Sequence, residues 1–202
     1  GTFTDIWSRT GIEERNLFGV SASFVDYDRD GWLDLYVGNN VDYDLDNDTE
    51  CPNPAGNRDY CSPQIYGGRP DRLYRNRGDG TFDDVAMALG VTEPATSFPA
   101  WFWDYDNDGV LDLYVTGYDA LVDDVARSYL GEPFTAELAR LYRGDGKGGF
   151  VDMTSATGLT RPSAPMGSNF GDLNGDGFLD FYLGTGYTAY FALVPNLMYL
   201  NL

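Results

Sequence analysis

The sequence predicts an all-β fold of stacked propeller-type blades, each a sheet of four short antiparallel strands. Three observations lead there. An aspartate-rich nonapeptide occurs three times, and each copy runs on into an alternating strand pattern. The composition is also rich in aromatics and glycine, with 15 Tyr, 12 Phe and 25 Gly in 202 residues. Aromatic side chains suit pleated, half-buried surfaces, and glycine suits the turns between them.

The nonapeptides are Asp26-Tyr-Asp-Arg-Asp-Gly-Trp-Leu-Asp34, Asp104-Tyr-Asp-Asn-Asp-Gly-Val-Leu-Asp112 and Asp172-Leu-Asn-Gly-Asp-Gly-Phe-Leu-Asp180. They continue as LDLYVGN, LDLYVTG and LDFYLGTG, the alternation of a strand with one buried face. A second element repeats: Arg72-Leu-Tyr-Arg75 matches Arg140-Leu-Tyr-Arg143, and Pro70–Asn76 matches Pro195–Asn201. Gly1–Ile6, leading to Gly11-Ile12, matches Gly80–Val85, leading to Gly90-Val91. From Arg72 to Asp104 and from Arg140 to Asp172 the spacing is the same, 32 residues, whereas the distance from nonapeptide to RLYR varies. Constant lengths are core and variable lengths are loops.

Each unit therefore reads as four strands. Strand one precedes the acidic loop (VSASFVDY, SFPAWFWDY, PMGSNFGDL), strand two follows it, strand three is RLYR and strand four is the TF-DV stretch. Four strands in roughly 60 residues is the size of a propeller blade. Residues 1–12 read as strand four of a blade, 13–91 as blade 1, 92–159 as blade 2, and 160–202 as strands one to three of blade 3. Any leader lies outside this chain. A blade cannot bury both faces alone, so blades stack on neighbours. Inserts fall between strands two and three; the second, ALVDDVARSYL ending at Gly131, reads as a short helix.

Charge and composition exclude several functions. Hydrophobic residues make up 43%, enough for a core, while the net charge is −19. Such a surface repels nucleic acid and anionic lipid. The only lysine is Lys147, and histidine is absent, which removes the commonest general base and transition-metal ligand. The longest apolar stretch, Ala189–Leu202, is broken by Pro195 and Asn196 and is too short to span a bilayer. Cys51 and Cys61, in a loop rich in Pro, Gly and Asn, read as a local disulfide rather than two free thiols, which implies an oxidising compartment.

The nonapeptide carries the chemistry. Calcium takes six to eight oxygens. Positions one, three and five (Asp26, Asp28, Asp30; Asp104, Asp106, Asp108; Asp172, Asn174, Asp176) supply carboxylates or an amide from a tightly curled loop. Glycine at position six permits the turn, position seven (Trp32, Val110, Phe178) offers its carbonyl, and position nine (Asp34, Asp112, Asp180) closes the shell. About three calcium ions are expected. Magnesium suits such a flexible carboxylate cage less well. A merely solvated acidic turn does not account for three near-identical copies. An EF-hand is excluded, because its twelfth position here is Val37, Val115 or Leu183, inside a strand. A further acidic cluster, Asp42 to Glu50, lacks the glycine and reads as a solvated loop before a fourth metal site. The triplets Arg77–Asp79 and Arg143–Asp145 are RGD by letter, but both fall at hairpin turns where Gly-Asp is ordinary. Asn47-Asp-Thr49 is a lone glycosylation sequon. No catalytic pair, nucleophile elbow or phosphate loop stands out, and no enzymatic activity is expected.

These loops, with LYRN, GDGTF-DV and the following Gly-Val, resemble FG-GAP/VCBS repeats, the calcium-binding blades also seen in integrin α-type propellers. Tyr60-Cys-Ser-Pro63, Pro70–Asn76 and Met166–Asp172 leading into Asp180–Gly186 are similar to the cartilage acidic protein/UnbV-like (ASPIC) branch. The resemblance implies secreted or cell-surface proteins (the periplasm included) with binding or adhesion roles. Family propellers usually have about seven blades and a further C-terminal module, and this chain has three blades' worth and no such module. The expected function is a non-enzymatic calcium-stabilised module for protein interaction or self-assembly; the chain is expected to be either a segment of a longer propeller or a subunit that completes its last blade with a neighbour's first strand, as a ring or filament. The alternative is a glycan-binding or accessory propeller of a larger carbohydrate-active enzyme, which Tyr118, Tyr129, Tyr187, Tyr190 and Phe191 would favour if exposed along one face.

Overall fold

The alternating stretches become strands where expected. The computed structural model describes residues 1–12, 18–44, 46, 48–187 and 193–202. Blade 1 begins with β1 (Gly19–Val25) and β2 (Asp34–Asn39). Its insert holds a two-residue hairpin, β3 (Cys51–Pro52) with β4 (Arg58–Asp59), closed by the Cys51–Cys61 disulfide. β5 (Arg72–Asn76) and β6 (Phe82–Asp84) complete the sheet, followed by one turn of helix, α1 (Ala86–Leu89). Blade 2 consists of β7 (Ser97–Trp103), β8 (Asp112–Gly117), the insert helix α2 (Val122–Leu130), β9 (Arg140–Gly144) and β10 (Phe150–Asp152). Blade 3 consists of β11 (Pro165–Gly171), β12 (Asp180–Thr185) and β13 (Leu197–Tyr199).

The sheet orders are β1-β2-β5-β6, β7-β8-β9-β10 and β11-β12-β13, antiparallel throughout. The predicted four-stranded blade is thus met in the first two units. Strand one carries a register shift near its start in all three blades, at Gly19/Ser21, Ser97/Ala100 and Pro165/Gly167. Helix α2 ends where predicted. Gly131 takes the left-handed conformation, with φ 71°, that a side chain would disfavour. The buried Asp124 accepts from the Leu121 N–H at 3.1 Å and so caps the first turn.

The expected N-terminal strand is not there. Residues 1–12 hold only a 3-10 turn, Trp7–Arg9, and residues 1–6 are exposed. These residues lie against blade 1, where the Phe82 N–H donates to the Thr10 carbonyl at 2.9 Å. The strand-three edges of β5 and β9 are taken by β6 and β10, while that of β13 is left without a fourth strand among the described residues. What survives of the repeat is its tail: Gly11 is left-handed with φ 76°, like Gly90 and Gly158, and Ile12 is buried like Val91 and Leu159.

Blades stack through alternate residues of one strand, because successive side chains point to opposite faces. Leu113 and Val115 of β8 join Val25, Tyr27, Tyr36 and Leu73 in the core between blades 1 and 2. Tyr114, between them in sequence, joins Trp101, Trp103, Leu141, Phe181 and Leu183 in the core between blades 2 and 3. The second core is the more aromatic: the Tyr114 and Phe181 rings lie 5.0 Å apart, and Trp103 meets Phe181 edge-on at 5.5 Å. This stacking aligns the three acidic loops, one at each turn from strand one to strand two.

Candidate metal centres

The loops share one hydrogen-bonding pattern, built by the residue types at fixed positions. The position-one carboxylate accepts from the N–H of the position-six glycine: Gly31 to Asp26 at 3.1 Å, Gly109 to Asp104 at 2.9 Å, Gly177 to Asp172 at 3.0 Å. The position-five carboxylate accepts from the N–H at position seven: Trp32 to Asp30 at 2.8 Å, Val110 to Asp108 at 2.8 Å, Phe178 to Asp176 at 2.9 Å. The glycines at position six have φ of 92°, 80° and 91°, a region that only glycine enters freely. Position four is left-handed too, as Arg29 (φ 61°), Asn107 (φ 57°) and Gly175 (φ 77°).

Two loops gather carboxylates tightly. Ligand atoms of Asp26, Asp28 and Asp34 lie within 4.8 Å of one another, and so do those of Asp104, Asp106 and Asp108. Three like charges at that distance repel strongly unless a cation sits among them. The Asp26 Oδ1 atom is buried and has no hydrogen-bond partner among the described residues, as expected of an oxygen that faces a cation. A hard divalent cation fits this donor set. The third loop is looser: its position three is Asn174, whose amide donates to Asp176 at 2.9 Å.

Position nine does more than the sequence suggested. Asp34, Asp112 and Asp180 are fully buried. Each carboxylate accepts one N–H from position two of its loop and one from the end of strand three. The distances are 3.3 and 2.8 Å from Tyr27 and Asn76, 2.9 and 2.9 Å from Tyr105 and Gly144, and 2.8 and 2.8 Å from Leu173 and Asn201. This aspartate ties the acidic loop to strand three. Burial pushes the Asp34 and Asp112 carboxyls up to about 6, although those N–H groups pull the other way.

Cations already touch the second loop. Arg143 pairs with Asp106 at 2.8 Å and with Asp108 at 2.7 Å. The Asp108 carboxyl is held below its usual range by the Val110 N–H, then by Arg143 and by Arg29 from blade 1. Both RGD arginines are thus engaged within their blades, since Arg77 bonds Asp83. The loops are also linked to each other: the Arg29 guanidinium donates to the Gly109 carbonyl, and the Asn107 amide donates to the Gly177 carbonyl at 2.9 Å.

Outside the loops, two acids of the Asp42–Glu50 stretch find arginines: Asp42 pairs with Arg69 at 2.8 Å and Asp48 with Arg58. No metal-like group forms there among the described residues, and Asn47 of the sequon lies outside them. Of the aromatics that would favour glycan binding if exposed along one face, Tyr118 is buried, tilted against Phe98 at 5.1 Å and stacked on Tyr187 at 6.5 Å. Tyr129 is exposed beneath Arg161, and Tyr190 and Phe191 lie outside the described residues. A different group of aromatics, Phe18, Tyr43, Tyr60 and Tyr66, lines a cleft of about 600 Å³ beside the disulfide.

One buried aspartate outside the motif ties the blades together. Asp71, fully buried before β5, accepts from the Tyr36 hydroxyl at 2.6 Å, the Ser97 hydroxyl at 2.6 Å and the Asn39 N–H at 2.7 Å. Ser97 belongs to blade 2, so Asp71 joins two blades.

No curated protein gives a significant match to the chain. The model of the FG-GAP-like repeat matches residues 56–115 and 124–183, more than half of the sequence. Each match runs from the insert through strands three and four into the next blade's acidic loop and strand two, so the second and third loops fall inside it. With its repeat architecture and its matched repeats together, the chain belongs to the FG-GAP-like repeat family.

Proposed function

We propose that this chain is a non-enzymatic, calcium-stabilised propeller module that works outside the cytoplasm in protein interaction or self-assembly. The observation that carries the calcium reading is the gathering of three carboxylates in each of two loops, with a buried Asp26 oxygen in the first that has no hydrogen-bond partner among the described residues. The ligands would be positions one, three, five, seven and nine of each loop, with the third loop using Asn174. A dissociation constant near 0.1 mM in millimolar calcium stabilises by roughly 1.4 kcal/mol per site. The disulfide supports an oxidising location. No helix among the described residues is long and apolar enough to cross a membrane.

The interaction reading rests on one exposed blade face. Tyr36 and Tyr114 are almost fully buried by the next blade, and the matching Tyr182 is 38% exposed. Leu73 and Leu141 are likewise buried, and the matching Met198 is 61% exposed. Blade 3 thus presents to solvent the same apolar face that blades 1 and 2 cover, as a surface for a further blade or a partner. The glycan alternative keeps some support from the aromatic cleft, whose tyrosines stand beside Asp48, Arg58 and Asp59.

Thermal melting with calcium and with chelator, combined with light scattering, tests this reading. We expect a melting temperature several degrees higher in calcium and association that depends on Met198 and Tyr182. A melting temperature indifferent to calcium would defeat the calcium reading. A monomer at every concentration, unchanged by Met198→Asp, would defeat self-assembly.

A further inference from the structure

We infer that the three loops bind calcium as one coupled array, in which the side chain at position four of one loop holds the next blade's loop in its metal-binding shape. This rests on the calcium reading above.

The same contact occurs twice. Position four of the first loop, Arg29, donates to the position-six carbonyl of the second, Gly109. Position four of the second loop, Asn107, donates to the position-six carbonyl of the third, Gly177, at 2.9 Å. The residues are 80 and 70 apart in sequence and on different blades, so local turn chemistry does not explain the match.

Backbone conformation argues that these side chains are there for use. Position four is left-handed in all three loops, and glycine suits that region best. Arg29 and Asn107 are the non-glycine residues with positive φ among those described. Gly175 serves the same backbone position in the third loop. A side chain is kept, against the conformational preference, at the two positions that reach a neighbouring loop.

The contact falls on the peptide that sets a ligand. The Gly109 carbonyl and the Val110 N–H belong to one peptide group, held by Arg29 at one end and by Asp108 at 2.8 Å at the other. The Gly177–Phe178 peptide is held in the same way, by Asn107 and by Asp176 at 2.9 Å. Fixing that plane orients position seven, whose own carbonyl is the next oxygen along the chain. In return, closure of a loop around its ion sets the position-four backbone, because positions three and five on either side are ligands. Coupling of this kind is reciprocal, so each ion raises its neighbour's affinity.

The test is a calorimetric calcium titration of the metal-free full chain and of Asn107→Gly, which keeps the left-handed backbone and removes only the amide. Asn107→Arg places at this position the group that makes the equivalent contact from the first loop. Circular dichroism shows that each variant is folded, and melting is recorded with calcium and with chelator. We expect a Hill coefficient above one for the native chain. Asn107→Gly should lower affinity at the third loop by about five-fold and bring the Hill coefficient toward one. Asn107→Arg should restore coupling, and the melting deficit of Asn107→Gly should be larger in calcium than in chelator. Three equal, independent sites in the native chain, or an Asn107→Gly deficit identical with and without calcium, would overturn the inference while leaving the calcium reading intact. A native chain that binds no calcium would overturn both.

Discussion

Replacing Asp71 with alanine is expected to cost about 4 kcal/mol of folding stability. The carboxylate is fully buried and accepts from the Tyr36 hydroxyl and the Asn39 N–H, both of which lose their acceptor in the variant. Ser97 keeps a second acceptor, the Pro94 carbonyl at 2.8 Å, so it contributes less to the loss. The remainder is the cavity left between blades. Urea denaturation at saturating calcium measures the loss, and a change below about 1 kcal/mol would show that the cluster relaxes without penalty.

The same residue gives a pH signature. Burial raises the Asp71 carboxyl to about 7, against the three donors that lower it. The folded state therefore holds a proton that the unfolded chain has released. The contribution is complete below about pH 4, falls as pH rises, and is gone above about pH 7. With chelator present, native stability should decline across that window relative to Asp71→Asn. Parallel profiles for the two proteins would remove Asp71 from the account.

The second large effect is expected at position nine. Asp112→Ala leaves the Tyr105 and Gly144 N–H groups without the carboxylate that both now share, at 2.9 Å each. We expect a loss of about 3 kcal/mol, with Asp112→Asn in between because its amide retains one acceptor oxygen. If the residue ties the loop to β9, the deficit persists in chelator. A deficit seen in calcium alone would make Asp112 purely a metal ligand.

The repeating part of the molecule was legible in sequence because it is local. The loops, strands one to three of each blade, helix α2 with its Gly131 stop and the Cys51–Cys61 pair follow from patterns read within a few residues. Asp71 was not legible, because its repeat equivalents are Ala139 and Asn196 and a residue that does not repeat gives no pattern. Asn196 hints at it, since its side chain accepts from the Thr185 N–H at 2.9 Å much as Asp71 accepts from that of Asn39. The contacts from Arg29 and Asn107 were hidden for another reason: they join loops on different blades, and only stacking brings them together. The structural role of position nine was visible in principle, since Asn76, Gly144 and Asn201 each end the RLYR-type element. The N-terminal stretch shows the opposite failure. It has the letters of strand four, but pairing is a tertiary event, and these residues pack on blade 1 rather than beside β13.

The loops remain the centre of the account, and direct calcium binding tests them most simply. A calorimetric titration of the metal-free chain should saturate at about three ions, in the range typical of extracellular modules, roughly 0.1–1 mM. Asp26→Asn, Asp104→Asn and Asp172→Asn should each weaken or remove one site. A chain that takes up no calcium, or one whose stoichiometry and affinity stay at the native values in all three variants, would contradict it.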